Sequence, residues 1–261
     1  MPDVRLEFRN VTKRFAAQRK GEPPIVAVTE LSFSLADGEV VSIIGPSGCG
    51  KSTLLNMGSG LDPASDGEVF VDGELVLRPN EHVAFMLQKD LLLPWRSIRK
   101  NVEFGLEIRG VPSAERQRIA VDLLTKCRLP QFVDHYPHQL SGGMRQRAAL
   151  ARTLAVDPAV LLMDEPFSAL DAQTKMVLQA DLGRTLGDTG KTALFVTHDL
   201  VEAIALSDRV LVMSQRPGRI VEELKIDIPN RDHPMERRKS PKIGPYVAHL
   251  MDVLHIEEEA A

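Results

Sequence analysis

Eight consecutive residues, Gly45-Pro46-Ser47-Gly48-Cys49-Gly50-Lys51-Ser52, constrain this chain more than any other stretch. They fit G-x-x-x-x-G-K-[ST] at every position, and the flanking pattern predicts an element on either side. Residues 39–44 (EVVSII) follow the turn pair Asp37-Gly38 and read as a buried strand, and the apolar stretch 53–57 reads as a helix. A glycine-rich turn in that setting lets backbone N–H groups converge on an anion without Cβ clashes, and the following helix adds the positive end of its dipole. A chance glycine-rich turn is the alternative, and a strand before it and a helix after it argue against chance. Lys51 is expected to reach the β- and γ-phosphates of a nucleotide and the Ser52 hydroxyl to ligate Mg²⁺. Gly45, Pro46, Ser47, Gly48, Cys49, Gly50, Lys51, Ser52 and Thr53 are therefore the expected nucleotide-binding residues. Cys49 reads as a small side chain in the loop, and alkylating it is expected to block the nucleotide.

Composition narrows the setting. The 261 residues suffice for one substantial core and a small subdomain. A net charge of −4 lacks the excess of Lys and Arg that a general nucleic-acid binder needs, so no nucleic-acid partner is expected. Two cysteines, Cys49 and Cys127, make a disulfide framework improbable and suit a reducing cytosol. The start, MPDVRLEFRN, does not read as a signal peptide, and no apolar run approaches the ~18 residues of a membrane span. Any link to a membrane is expected to run through a partner.

Along the chain, residues 4–8 alternate as an opening strand, 16–24 read as a Pro-containing polar loop, and alternation resumes over 25–35. Residues 67–77 read as a hairpin turning at Asp72-Gly73. The stretch 91–155 is mostly helical in pattern. Apolar strands are expected at 156–163, 193–196 and 209–213. Strands alternating with helices imply a mainly parallel sheet covered on both faces, with 91–155 as an inserted helical lobe.

The strand before Pro166 ends in two acids, Asp164 and Glu165. A buried strand tip is a costly place for carboxylates unless a metal or substrate uses them; the bland alternative is a pair capping the next helix. Asp164 suits the Mg²⁺ shell, and Glu165 suits a base that orients the attacking water. Three single residues stand beside apolar runs. Gln88 follows 83–87 and has the chemistry to contact Mg²⁺ or the lytic water, although a lone Gln is usually surface. His198 follows 194–196 and has the chemistry to hydrogen-bond a γ-phosphate, although lone histidines are more often structural. Phe15 has the ring to stack on adenine, although a Phe near a strand is more often core.

Leu140-Ser141-Gly142-Gly143-Met144-Arg145-Gln146-Arg147 adds a second anion site, with Ser-Gly-Gly ahead of a helix. One nucleotide already has its phosphate loop, so a second such site in one chain asks for a second subunit. This octet closely resembles the signature sequence of the ABC (ATP-binding cassette) ATPases, and the resemblance spans roughly residues 4–215 with its motifs in unbroken order. It implies an α/β fold: a P-loop NTPase core with a mainly parallel sheet, an N-terminal antiparallel β subdomain and an inserted helical subdomain. The nucleotide-binding core with its β subdomain is then expected at about 1–90 and 156–225, the helical subdomain at about 91–155, and a tail with a short helix at about 226–261. It further implies hydrolysis of ATP with Mg²⁺ in a head-to-tail dimer, most simply of two copies. Each ATP then lies between the phosphate loop of one subunit and Ser141, Gly142 and Gly143 of the other. By the same resemblance Gln88 is similar to the Q-loop glutamine, joining Ser52 and Asp164 at the metal. Ser168-Ala169-Leu170-Asp171 is similar to the D-loop, His198 to the switch histidine and Phe15 to the adenine-stacking aromatic. Glu165, His198 and Lys51 are the expected catalytic residues. Phe at 15 stands where Tyr is commoner, and Gly58-Ser59-Gly60 stands where one Gly is usual, so the helix after the phosphate loop is expected to end early.

Leu93-Pro94-Trp95 with Asn101-Val102, and Arg216-Pro217-Gly218-Arg219-Ile220, resemble the importer branch serving nitrate, sulfonates and taurine. Importers of thiamine-precursor pyrimidines and riboflavin-like compounds share the Leu-Pro-Trp pattern. The resemblance implies transmembrane permease partners, an extracytoplasmic solute-binding protein and a peripheral place on the cytoplasmic face of the inner (plasma) membrane. Residues 91–95 are expected to line a groove for the permease, ordinary core packing being the alternative. The basic run 231–242 (RDHPMERRKSPK) reads as solvated or as touching lipid headgroups or the permease. Residues 246–254 recur at helical spacing and are expected to pack on the core. A soluble ABC ATPase acting on DNA or ribosomes lacks support, since there is no second cassette, coiled-coil insertion or basic face. A P-loop kinase or GTPase leaves Ser141, Gly142 and Gly143 without a role.

Overall fold

Alternation at the N-terminus produces paired strands. The computed structural model describes residues 3–17, 22–168 and 170–255. β1 (Val4–Phe15) runs seven residues past the alternating 4–8 segment, because β2 (Ile25–Ala36) pairs antiparallel with it from Val4↔Ala36 to Phe15↔Ile25. Part of the expected loop at 16–24, residues 18–21, lies outside the described residues. β3 (Val40–Ile44) is buried at all five positions, as an apolar central strand should be. α1 (Lys51–Gly58) follows the glycine loop and stops where Gly58-Ser59-Gly60 led us to expect. At Gly60 (φ +74°) a Cβ would stand 2.4 Å from the Arg78 carbonyl, so the exit from α1 requires glycine. β4 (Asp66–Val71) and β5 (Glu74–Leu75) form the hairpin, with positive φ at both Asp72 and Gly73.

β6 (Val83–Met86) was legible only as an apolar run before Gln88; four residues are too few to show a period. Helices then take over: α2 (Ile98–Val102), α3 (Phe104–Ile108), α4 (Ser113–Lys126) and α5 (Gly142–Ala155). β7 (Val160–Asp164) starts four residues later than the expected 156–163. Val156 caps α5, and Asp157 (φ +48°) with Pro158 turns the chain before the strand can pair. α6 (Ala172–Thr189), β8 (Thr192–Val196), α7 (Leu200–Leu206) and β9 (Arg209–Met213) complete the alternation. β10 (Ile220–Lys225) was not foreseen; it returns antiparallel along β9 as an edge strand. α8 (Pro234–Arg237) and α9 (Ile243–Val253) follow.

Among the described residues the strands form a 4-stranded sheet, β2-β1-β4-β5, and a 6-stranded sheet, β10-β9-β3-β8-β7-β6. The first is antiparallel, and the second is parallel except for β10. α1 lies between them: it touches β7 and β8 on one side and β1 and β4 on the other. A Cβ on Gly58 would sit 3.3 Å from Phe8 and 3.4 Å from Leu162. Leu54, Leu55 and Met57 share one core with Leu6, Phe8 and Leu162, so the helix behind the phosphate loop is gripped by both sheets. A second core joins α2 to α6 and the facing side of β6, β7 and β8, and a third joins β9, α7 and α9.

Three arginines of the basic run turn into the fold. Arg237 is 2% exposed and donates to the carbonyls of Ala205 and Ser207, closing the C-terminal end of α7. Arg231 pairs with Asp208, Arg238 donates to Gln179 and Lys242 pairs with Asp227. Arg231, Arg237 and Arg238 are thus held within the fold, while Lys239 and Lys242 stay exposed. α9 packs through Leu250 on α7, as its spacing predicted.

Candidate functional site

In a parallel sheet the loops after the strands gather at the C-terminal edge, which is where ligands bind in open α/β folds. β3 delivers the glycine loop there, β7 delivers Asp164 and Glu165, β8 delivers His198, and β9 delivers the loop that starts at Ser214. A cavity of about 570 Å³ opens along this edge. Phe15, Ile25 and Ala27 line one side; Ser47, Gly48, Gly50, Lys51, Ser52 and Thr53 line another; Glu165 and Arg216 complete its wall.

The loop is built for close approach. Gly50 (φ +107°) could not carry a Cβ, which would stand 2.5 Å from Val28. The Lys51 ammonium donates to the carbonyls of Gly45 (2.7 Å) and Pro46 (2.8 Å), so its charge stays within the loop. Cys49 contributes backbone to the loop, but its thiol is 1% exposed and belongs to the core beneath. A reagent in the cavity therefore meets no open thiol at Cys49. Phe15, 40% exposed, presents its ring at the far side of the cavity, with the Lys13 ammonium 5.4 Å from the ring centre.

At the tip of β7 the Ser52 hydroxyl hydrogen-bonds the Asp164 carboxylate. Burial pushes the Asp164 carboxyl above the ordinary range; Ser52 and Lys51 oppose this, and Glu165 adds to it. Glu165 itself sits at φ +46°, a conformation non-glycine residues seldom adopt. Its Oε2 accepts from Gln88 Nε2 at 3.1 Å and lies 3.5 Å from His198 Nδ1. Three residues from separate stretches of sequence, 77 and 33 positions apart in order, thus converge on one carboxylate oxygen.

Ser141 caps α5, its hydroxyl accepting from the Met144 N–H at 3.3 Å, and Ser141 and Gly142 are exposed. Neither they nor Gly143 line the cavity of their own chain. Asp171 caps α6; hydrogen bonds from Thr174 hold its carboxyl below the usual range. Ala169 of the same stretch lies outside the described residues. Three groups that sequence reasoning passed over tie these parts together. Buried Gln146 on α5 donates to the Pro166 carbonyl (2.9 Å), just past Glu165, and Arg145 pairs with Asp90, just past Gln88. Lys175 on α6 bridges Asp199 and Glu202, both at 2.8 Å, next to His198. No spacing rule marks such residues, because each bridges elements that the chain order separates.

Residues 28–168 match the family model described as ABC transporter. The chain belongs to the ABC transporter family. Curated relatives agree. The taurine import ATP-binding protein TauB of Rhizobium johnstonii is 42% identical over 94% of this chain and 95% of its own length. TauB of Yersinia pestis bv. Antiqua (strain Antiqua) is 41% identical over 91% and 92%. An ABC transporter ATP-binding protein of Methanocaldococcus jannaschii is 46% identical over 86% and 83%. Among solved structures, the cassette MJ0796, captured as a dimer in a post-hydrolysis state with ADP and Pi, matches with a TM-score of 0.77 at 33% identity, over 85% of this chain and 99% of that one. This ABC protein is an ATPase. The hydroxyl of Ser52, the carboxylate of Asp164 and the amide oxygen of Gln88 are hard oxygen donors of the kind Mg²⁺ takes alongside substrate phosphates. An Asp164 carboxyl that burial discourages from ionising gains most from such a cation.

Proposed function

We propose that this ATPase powers an importer of small organic anions of the taurine and sulfonate type. It works as a homodimer bound to transmembrane permease subunits on the cytoplasmic face of the plasma membrane. An extracytoplasmic solute-binding protein supplies the cargo. The observation that carries the dimer is the separation just described: Ser141, Gly142 and Gly143 form a capped helix start, exposed at Ser141 and Gly142, outside the cavity of their own chain. A second copy placed head to tail gives them an ATP to contact, and the dimeric MJ0796 cassette shows that a related protein assembles in pairs.

Within that dimer each side chain has a task. The glycine loop and Lys51 hold the polyphosphate, and Phe15 offers a face to the base. Ser52, Asp164 and Gln88 hold Mg²⁺, which when bound neutralises charge on the phosphates. Glu165 orients and deprotonates the attacking water, and His198 steadies the terminal phosphate. Asp171, at the start of α6, faces the partner. The membrane side is read from Trp95, 72% exposed, and Leu91, 54% exposed, in the stretch after Gln88, while Leu92 between them packs in the core. Among the described residues no helix is long and apolar enough to cross a membrane, so this surface suits a permease that does.

The cargo class rests on the TauB relatives, which align over nearly the whole chain. Deleting the gene and growing cells on taurine or an alkanesulfonate as sole sulfur source, with sulfate as control, tests it. Growth is expected to fail on the sulfonate and persist on sulfate. Normal growth on both would move the assignment to another small solute and leave the ATPase in place.

A further inference from the structure

The segment Arg216-Pro217-Gly218-Arg219, a mark of family branch in sequence, has a defined place in the structure. It leaves β9 at the C-terminal edge of the sheet and is fastened on two sides. The Gly218 N–H donates to the Ala27 carbonyl (2.9 Å), and the Gly218 carbonyl accepts from the Thr29 N–H (3.1 Å), which fixes the segment to β2. On the other side a Cβ at Gly218 would stand 2.1 Å from the Cys49 carbonyl, so the segment lies directly against the phosphate loop. Only glycine permits that approach.

This fastening brings Arg216 to the cavity. Its Nε and Nη2 both donate to the Gly48 carbonyl, at 3.1 and 3.0 Å, and the side chain lines the cavity together with Ser47, Gly48, Lys51 and Phe15. Arg219, three residues on, has Glu30 as a counter-ion at 3.7 Å. Among the described residues no carboxylate pairs with Arg216, which donates to the neutral Gly48 carbonyl. A guanidinium held that way keeps its positive charge available to an anion, and its planar fork matches phosphate oxygens.

We propose that Arg216 is a nucleotide-binding residue, whose charge on the wall next to the phosphate loop raises the affinity for phosphorylated nucleotides. This rests on the reading of the cavity as the ATP site. It explains why a surface loop is held so tightly between β2 and the phosphate loop: the staple at Gly218 positions the charge.

Titration calorimetry of ATP and of ADP into the full chain tests the proposal, with wild type, R216A, R216Q and R216K compared at low and high salt. R216A and R216Q are expected to weaken both nucleotides roughly tenfold at low salt, with R216K in between and the gap narrowing as salt rises. R216Q retains a donor for the Gly48 carbonyl, so it separates charge from support of the loop, and thermal midpoints without nucleotide report on folding. Wild-type affinity in R216Q would overturn the proposal alone. Failure of the wild type itself to bind ATP would overturn the cavity reading and the proposal with it.

Discussion

Asp164 is held at the tip of β7 against its own preference. Burial raises its carboxyl, and the Ser52 hydrogen bond and Lys51 offset only part of that. An acid whose folded pKa lies above its unfolded value costs stability when ionised. The cost is full above the folded pKa and is relieved as pH falls through it. D164N is therefore expected to raise the thermal midpoint of the nucleotide-free protein at pH 7. It should abolish Mg²⁺-dependent hydrolysis at the same time. The gain should shrink as the pH is lowered into the carboxylate range; scanning calorimetry at several pH values checks both, and an unchanged or lower midpoint at pH 7 would contradict the account. At this scale the sequence was a good guide to chemistry and a poor one to direction. It named Gln88, Glu165 and His198 from their places after apolar runs, but only the fold shows them meeting on one oxygen. It placed Cys49 in the loop, but not its thiol in the core.

Between elements, the polar clasp of α6 and α7 decides how firmly the His198 segment is held. Lys175 bridges Asp199, the cap of α7, and Glu202, which is nearly fully buried; Gln179 also donates to Glu202, and Arg238 reaches Gln179 from beyond α8. Burial alone would push the Asp199 carboxyl up, yet the hydrogen bond from Lys175 brings it below the usual range. The pair thus stabilises above the ordinary carboxylate pKa and loses its effect as pH falls through the depressed one. K175M leaves the Glu202 charge short of a partner and is expected to cost about 2 kcal/mol in urea unfolding at pH 7, and less in strong acid. A loss independent of pH would point to packing alone. The clasp was illegible in sequence because its members lie on α6, α7 and the segment after α8; the same holds for Gln146 and Arg145, through which α5 holds the stretches around Pro166 and Asp90.

The whole molecule presents a cavity along the glycine loop and, apart from it, the capped start of α5. If ATP joins one to the other across two copies, slowing hydrolysis must lengthen the life of the pair. E165Q is expected to lower kcat by roughly 10² or more, the scale of lost general-base help. With saturating ATP and Mg²⁺ it should elute as a dimer from a sizing column, and revert to a monomer with ADP. A mutant that stays monomeric in ATP would sink the head-to-tail arrangement while sparing the cavity.

What the sequence determined by itself is whatever lies close along the chain. The glycine loop sits between one strand and one helix, the two acids stand at one strand end, and Ser-Gly-Gly precedes one helix, so local spacing is enough to specify each. Residues 246–254 announced α9 for the same reason. The tertiary structure alone decided strand order, the edge strands β6 and β10, and the gathering of loops after β3, β7, β8 and β9 on one edge. It also decided that Arg231, Arg237 and Arg238 of the basic run turn inward and that Arg216 stands beside Gly48, 168 residues earlier in the chain. These depend on which strand lies beside which, and that is settled by the burial of shared apolar faces and the pairing of buried polar groups, neither of which a local pattern records.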